Sequence, residues 1–113
     1  MITGDTRPCA ATIEHSVGAD LLVHESTFGD EDQARAVETM HSTAREAATV
    51  AKMAGAKKLA LTHFSARYSR DPSDLGREAR EVFTGDVVLA KDGLEIDVPF
   101  VCLLYTSDAA DEL

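Results

Sequence analysis

One apolar segment and the polar cluster that follows it constrain the fold of this chain more than any other feature. Residues 58–68 read KLALTHFSARY, and the apolar run Leu59, Ala60 and Leu61 stops on a threonine and a histidine. A continuous apolar run between polar flanks is typical of a strand buried on both faces of a parallel sheet. Ligands bind open α/β sheets just beyond the carboxyl ends of such strands. The residues after Leu61 are therefore candidates for a functional site.

Four side chains that could bind a ligand or take part in catalysis follow this predicted strand, namely His63, Ser65, Arg67 and Tyr68. Of these, His63 is the first candidate for a reactive residue. The alternative is that His63 is a polar residue that simply closes a strand, because a single histidine is weak evidence for a site. Tyr68 is as compatible with packing as with binding.

A helix with strong end signals precedes the strand. Thr43 and Glu46 have the spacing of a capping box, alanines fill the following turns, and Gly55 is a typical stop. His41 lies just before the amino terminus of this helix. A second apolar run, at residues 19–25, ends on His24 and Glu25 and predicts another strand.

The remaining segments complete an α/β pattern. Residues 10–17 and 75–83 have the apolar spacing of short helices, with Pro8 in the first turn of the former. Residues 87–90 predict a strand, and Asp92-Gly93 followed by alternating apolar residues predicts a hairpin. Strands that alternate with helices indicate an α/β fold. We expect one domain over residues 1–100, and we interpret residues 101–113 as a non-native tail that is excluded from fold reasoning.

Composition restricts the class of protein further. The chain has 113 residues, of which 44% are hydrophobic and 27% charged, as in a soluble globular domain. It has neither a signal peptide nor an apolar run near the ~20 residues of a membrane span, so a cytoplasmic location is predicted. Cys9 and Cys102 match no zinc or redox spacing and favour a reducing compartment. The net charge of −9 opposes binding of nucleic acid through a basic surface.

Four motifs in this order, GDTRP, HESTF, HSTAREAA and LTHFSARY, closely resemble the C-terminal part of the ribonuclease Z family. The resemblance covers nearly all of residues 1–100. It implies the C-terminal portion of a metallo-β-lactamase-like αβ/βα sandwich. It also implies a zinc-dependent endoribonuclease that removes the 3′ trailer from precursor tRNA, with two zinc ions per complete active site. A homodimer is implied for the full-length protein.

The resemblance assigns metal ligands to two positions. Asp5 matches an aspartate that bridges two zinc ions, and His63 matches a histidine ligand of the second zinc. An anion suits the bridging position because two cations ~3.5–4 Å apart repel each other. We expect Thr62 to help to orient His63. Without the family, an Asp-Thr turn at Asp5 is the alternative.

The resemblance assigns the chemistry to His41 and Glu25. His41 matches the catalytic histidine, and Glu25 matches the acidic residue that holds its imidazole and favours the protonated form. Arg67 and Ser65 are implied contacts to the phosphate of the RNA. A helix-capping histidine and a surface carboxylate are the alternatives for the first pair.

The sequence departs from the family at Ser26, where the family commonly has alanine, in lacking the family's tRNA-binding arm, and above all in its metal ligands. The family takes its first zinc ligands from an upstream H-x-H-x-D-H segment, which this sequence does not contain. Because a catalytic zinc takes about three protein ligands, we expect this chain alone to bind zinc weakly and to cleave nothing. Two other classes stay open, namely a metallo-β-lactamase-fold hydrolase of a small ester or phosphodiester, and a non-catalytic α/β structural or dimerisation module.

Overall fold

Three parallel strands form the centre of the computed structural model, which describes residues 1–68 and 70–90. They are β1 (Leu22–Glu25), β2 (Lys58–Thr62) and β3 (Asp86–Leu89), in the order β1-β2-β3. Leu22 lies opposite Leu59, which lies opposite Val87. The prediction that Leu59, Ala60 and Leu61 form a buried strand of a parallel sheet is confirmed. The predicted hairpin after Asp92 and the tail at 101–113 lie outside the described residues.

Within the described residues, four helices accompany the strands: α1 (Ala10–His15), α2 (Gln33–Thr39), α3 (Ala44–Ala54) and α4 (Ser73–Arg80), with a 3-10 turn at Asp30–Asp32. The prediction that Pro8 lies in the first turn of α1 is wrong, because Cys9 has an extended backbone and the helix starts after it. Helix α4 begins and ends earlier than predicted. Its last turn tightens, since the N–H of Val82 donates to the carbonyl of Ala79, three residues back.

The core lies between one face of the sheet and helices α1, α3 and α4. Leu22, Leu59 and Leu61 are fully buried on the sheet, and they pack with Val50 of α3 and Leu75 of α4. Helix α3 also buries a run of alanines in this core. Small side chains allow the helix backbone to approach its neighbours closely. Hydrophobic burial of this face is the main term that holds the sheet and helices together.

Both ends of α3 are fixed by local interactions. The hydroxyl of Thr43 accepts a hydrogen bond from the N–H of Glu46 at 3.1 Å, and the Glu46 carboxylate accepts one from the N–H of Thr43 at 2.9 Å. Gly55 ends the helix with a left-handed φ of 69°. The capping box predicted from the sequence is confirmed, and it sets the place where the preceding loop, with His41, meets the helix.

Two further segments of the described residues reach the carboxyl edge of the sheet. Ile2 forms a parallel bridge with Val23, so the segment after it runs alongside β1 towards this edge. Phe28 forms a bridge with Thr43, which fixes the loop before α3 there.

Among the described residues, none of the helices has the length and apolar character of a membrane span.

His24 is a buried polar residue within the hydrophobic core. Its Nδ1 donates to the carbonyl of Glu25 at 2.8 Å, and its Nε2 has no hydrogen-bond partner among the described residues. Burial lowers the pKa of this imidazole, outweighing the opposite effects of the Glu25 carbonyl and nearby carboxylates. A charge on His24 is therefore disfavoured in the folded state.

We expect Thr43→Ala to lower the free energy of unfolding by about 0.5–2 kcal/mol, because it removes the helix cap. Thr49→Ala is the matched control, since its exposed hydroxyl only donates to the Arg45 carbonyl within α3. That control should change stability by less than about 0.5 kcal/mol. Chemical denaturation measures both, and equal losses would contradict the capping argument.

We expect acid to destabilise the fold through His24. Because the unfolded imidazole binds a proton more readily than the buried one, stability is fully present above the unfolded pKa of 6.5 and falls below it. The slope approaches about 1.4 kcal/mol per pH unit for one proton. His24→Leu should reduce this slope between pH 7 and pH 5.5, whereas His15→Leu, at an exposed position, should not. An unchanged slope in His24→Leu, measured by denaturation at each pH, would refute the account.

Candidate active site

Asp5, His41 and His63 converge at the carboxyl edge of the sheet although they lie in three separate segments. His63 Nε2 is 3.7 Å from Asp5 Oδ1, and the rings of His41 and His63 stack with centroids 5.3 Å apart. One ligand atom from each of the three residues lies within 4.8 Å of the others. Asp5 and His63 are exposed and His41 is half-buried, so a ligand can reach the cluster.

The backbone of His63 is held in an unusual conformation. It has a φ of 58°, in the left-handed region that non-glycine residues rarely adopt. Such conformations concentrate at functional sites because the surrounding structure must hold them. The expectation that Thr62 orients the imidazole is wrong, because the Thr62 hydroxyl donates back to the carbonyl of His24. The residue that contacts His63 Nδ1 is Thr27, at 2.8 Å.

The carboxylate of Glu25 links the loops around the cluster. Its Oε1 accepts from His41 Nδ1 at 2.9 Å, from the Ser42 N–H at 3.0 Å and from the Thr6 N–H at 3.2 Å. Its Oε2 accepts from the N–H and the hydroxyl of Thr27, at 3.1 and 2.7 Å. Glu25 is 1% exposed. The predicted contact between Glu25 and His41 is therefore present, and it leaves His41 Nε2 as the free ring nitrogen.

Arg7 joins two of these loops, although the sequence analysis did not single it out. Its guanidinium donates two hydrogen bonds to the Glu46 carboxylate, at 2.6 and 2.8 Å, and one to the carbonyl of His41 at 2.8 Å. Burial alone would raise the pKa of Glu46, but the hydrogen bonds from Arg7 and the Thr43 N–H outweigh it and lower the pKa. The contact ties the Asp5 loop to the His41 loop. Its only sequence signal was the capping-box glutamate, whose partner lies 39 residues away.

Arg67 forms ion pairs within the protein. Its guanidinium donates to Asp32 at 3.0 Å and to Glu31, and these carboxylates raise its pKa. It lies over the ring of Tyr68, whose hydroxyl donates to Asp32 at 2.8 Å. Burial raises the pKa of Tyr68, with this hydrogen bond adding to the effect. Tyr68 is 7% exposed and is thus largely a packing residue.

Ser65 contributes to the site through its backbone. Its N–H donates to the carbonyl of Thr27 at 2.9 Å, and its own carbonyl accepts from the N–H of Tyr68. The first of these bonds joins the loop after β2 to the loop after β1, and the second closes a turn within the loop after β2. The spacing between His63 and Thr27 is therefore fixed by backbone as well as by side chain.

The donor set at the cluster fits a zinc ion. Zinc takes imidazole nitrogen and carboxylate oxygen at about 2.0–2.2 Å, which places two ligands of a tetrahedral ion about 3.3–3.6 Å apart. The separation of 3.7 Å between His63 Nε2 and Asp5 Oδ1 is close to that spacing. The two residues therefore suit a shared cation.

The fold of this chain is found in solved structures of the metallo-β-lactamase class. The structure resembles the metallo-β-lactamase fold protein YhfI from Bacillus subtilis with a TM-score of 0.76 and 34% identity, over 82% of this chain and 37% of that one. The predicted fold class is thus confirmed: the chain is part of a metallo-β-lactamase fold. Comparison with models of known protein families gives no match.

The curated relatives that the chain matches are named ribonuclease Z, the family that the four sequence motifs resemble. The chain is 58% identical to ribonuclease Z of Myxococcus xanthus over 99 residues, which are 88% of this chain and 32% of that protein. Human tRNase Z, short form, matches with a TM-score of 0.68 and 37% identity, over 88% of this chain and 33% of the human chain. The chain spans about a third of the length of the relatives it matches.

We expect Arg7→Lys to lower the free energy of unfolding by roughly 1–3 kcal/mol, because lysine keeps the charge but loses the paired hydrogen bonds. Arg77→Lys is the matched control, since Arg77 forms its ion pairs on the surface with a side chain that is 60% exposed. That control should cost less than about 1 kcal/mol. Chemical denaturation of both variants tests the difference, and equal effects would show that Arg7 is not a specific clamp.

Proposed function

We propose that this chain is part of a zinc-dependent endoribonuclease that removes the 3′ trailer from precursor tRNA by phosphodiester hydrolysis. The observation that carries the proposal is the convergence of Asp5 and His63, 3.7 Å apart, beside an imidazole held by a buried carboxylate. These residues come from motifs that resemble ribonuclease Z, and relatives with that name match most of the chain. The site and the sequence relationship support the same activity.

Asp5 and His63 would hold zinc in this proposal. The complete active site contains two zinc ions, and their remaining ligands come from other parts of a full-length protein, because these two side chains are too few for two ions. Bound zinc supplies Lewis acidity that neutralises charge on the phosphate oxygens. The contribution of this chain is to place a carboxylate and an imidazole at the required spacing.

His41 acts as the general acid. Its Nδ1 is bound to Glu25 at 2.9 Å, so Nε2 is the ring nitrogen left to donate a proton. When the bond between phosphorus and the 3′ oxygen breaks, this proton goes to the departing oxygen. The Glu25 carboxylate orients the ring through its hydrogen bond with Nδ1. Water supplies the new oxygen on phosphorus, and no covalent enzyme intermediate is required.

Arg67 and Ser65 contact the RNA phosphate in this proposal. The Arg67 side chain is 54% exposed, so phosphate oxygens can reach its guanidinium even though Glu31 and Asp32 bind it in the free chain. Phosphate must compete with these two carboxylates, which makes the contact conditional on their displacement. Ser65 lies two residues beyond His63, where its hydroxyl can supplement the arginine.

The wider context of the proposal follows from the family resemblance. We infer a precursor tRNA partner, a homodimer of the full-length protein and a cytoplasmic location. Residues 1–100 form part of one metallo-β-lactamase-fold domain, and residues 101–113 are a non-native tail. The remaining two thirds of a full-length protein supply the rest of the active site.

The proposed role of His41 can be tested in a full-length protein that carries this segment. His41→Ala should reduce the rate of trailer cleavage by about 10²–10⁴-fold, with bound zinc and folding unchanged, because it removes the general acid. His15→Ala, at an exposed position on α1, should leave the rate unchanged. A full rate in His41→Ala would refute the role, and loss of zinc would make His41 a metal ligand instead.

The 113-residue chain by itself provides a second test. Zinc titration by calorimetry should show weak binding, and a trailer-cleavage assay should show no product, because the chain offers too few ligands for two zinc ions. Measurable turnover by this chain would contradict the proposal that its active site is incomplete.

A further inference from the structure

Thr27 lies between the two functional halves of the candidate site. It is 5% exposed, and its hydroxyl oxygen is 2.7 Å from Glu25 Oε2 and 2.8 Å from His63 Nδ1. The same carboxylate holds His41 through its other oxygen. One chain of hydrogen bonds thus runs from His41 through Glu25 and Thr27 to His63.

The single hydroxyl proton fixes the direction of this chain. Glu25 accepts a hydrogen bond from each of its other partners, as an ionised carboxylate does, and it has no proton of its own to offer Thr27. The Thr27 hydroxyl must therefore donate to Glu25 Oε2. If it donated to His63 instead, two buried oxygens would lie 2.7 Å apart without a proton between them.

The hydroxyl oxygen consequently accepts from His63. A hydroxyl has one proton and two lone pairs, so an oxygen that donates to Glu25 can still accept a hydrogen bond from a ring N–H. His63 Nδ1 then carries the proton, and the lone pair is on Nε2. This is the nitrogen that lies 3.7 Å from Asp5 Oδ1.

We propose that Thr27 is a positioning residue that sets the tautomer of His63 and directs its Nε2 lone pair to a metal ion shared with Asp5. The proposal rests on the metal role of His63 in the proposed function. Partners on the second ring nitrogen of a metal-binding histidine fix its orientation and raise its basicity. Thr27 performs this task while its own hydroxyl donates to the negatively charged carboxylate of Glu25. A single carboxylate therefore orients both the proposed acid and the proposed metal ligand.

The geometry of Thr27 suits this task. Its N–H donates to Glu25 Oε2 at 3.1 Å, and its carbonyl accepts from the Ser65 N–H at 2.9 Å. The backbone is thus fixed on both sides of the hydroxyl. A β-branched side chain also has few rotamers, so the hydroxyl loses little entropy when it bonds to both partners.

Long-range proton–nitrogen NMR of the metal-free 113-residue chain tests the tautomer. At alkaline pH, where imidazole is neutral, His63 should carry its proton on Nδ1 in the unmodified chain and in Thr27→Ser, which keeps the hydroxyl. Thr27→Val has nearly the same shape without the hydroxyl, and His63 should lose this preference. A proton on Nε2 in the unmodified chain, or an unchanged tautomer in Thr27→Val, would overturn the proposal. The spectrum of the unmodified chain decides the tautomer even if Thr27→Val does not fold.

Zinc titration followed through the His63 nitrogen signals tests the consequence for binding. The concentration of Zn²⁺ at half-saturation should rise about 10–100-fold in Thr27→Val and stay near the original value in Thr27→Ser. Equal zinc binding in both variants would overturn the link between Thr27 and the metal. Both readouts are independent of RNA cleavage. Failure of the nuclease assignment would therefore leave the tautomer result intact, and a wrong tautomer would leave the nuclease assignment open to its own assay.

Discussion

The arrangement of the candidate site depends on one buried charge. Burial of an ionised carboxylate costs several kcal/mol unless donors replace the water that it loses. Glu25 satisfies this requirement with N–H and O–H groups from Thr6, Thr27, His41 and Ser42. These donors belong to three loops that follow or precede different elements. The need to solvate one carboxylate therefore holds the loops in one arrangement, and the spacing of Asp5, His41 and His63 follows from it.

The ion pair between Arg7 and Glu46 supports the same arrangement of loops. Glu46 caps α3 together with Thr43, and its carboxylate also accepts two hydrogen bonds from Arg7. The Arg7 guanidinium donates a further hydrogen bond to the carbonyl of His41. The amino terminus of α3 thereby becomes a fixed point for both the Asp5 loop and the His41 loop. A local helix signal has a tertiary role here, because its glutamate bonds to a residue outside the helix as well as within it.

Several arginines of the described residues form ion pairs within the chain and are not free to attract a polyanion. Of the arginines described, Arg7, Arg45, Arg67 and Arg77 all pair with carboxylates of this chain. These arginines are therefore largely neutralised by carboxylates of the same chain. The net charge of −9 also opposes attraction of a polyanion. Affinity for tRNA in the proposed function must then come from other parts of a full-length protein. This segment contributes chemistry and positioning more than attraction.

The sequence by itself determined the elements whose signals are local. The capping box and Gly55 defined α3, and the apolar run at residues 59–61 defined a buried parallel strand. The four motifs also indicated the family and directed attention to Asp5, Glu25, His41 and His63. The contact partners were decided only by the tertiary structure. Thr27 rather than Thr62 reaches His63, and Arg7 reaches Glu46, across 36 and 39 residues. No local pattern encodes such pairs, because they form only when parallel strands bring distant loops to one edge of the sheet.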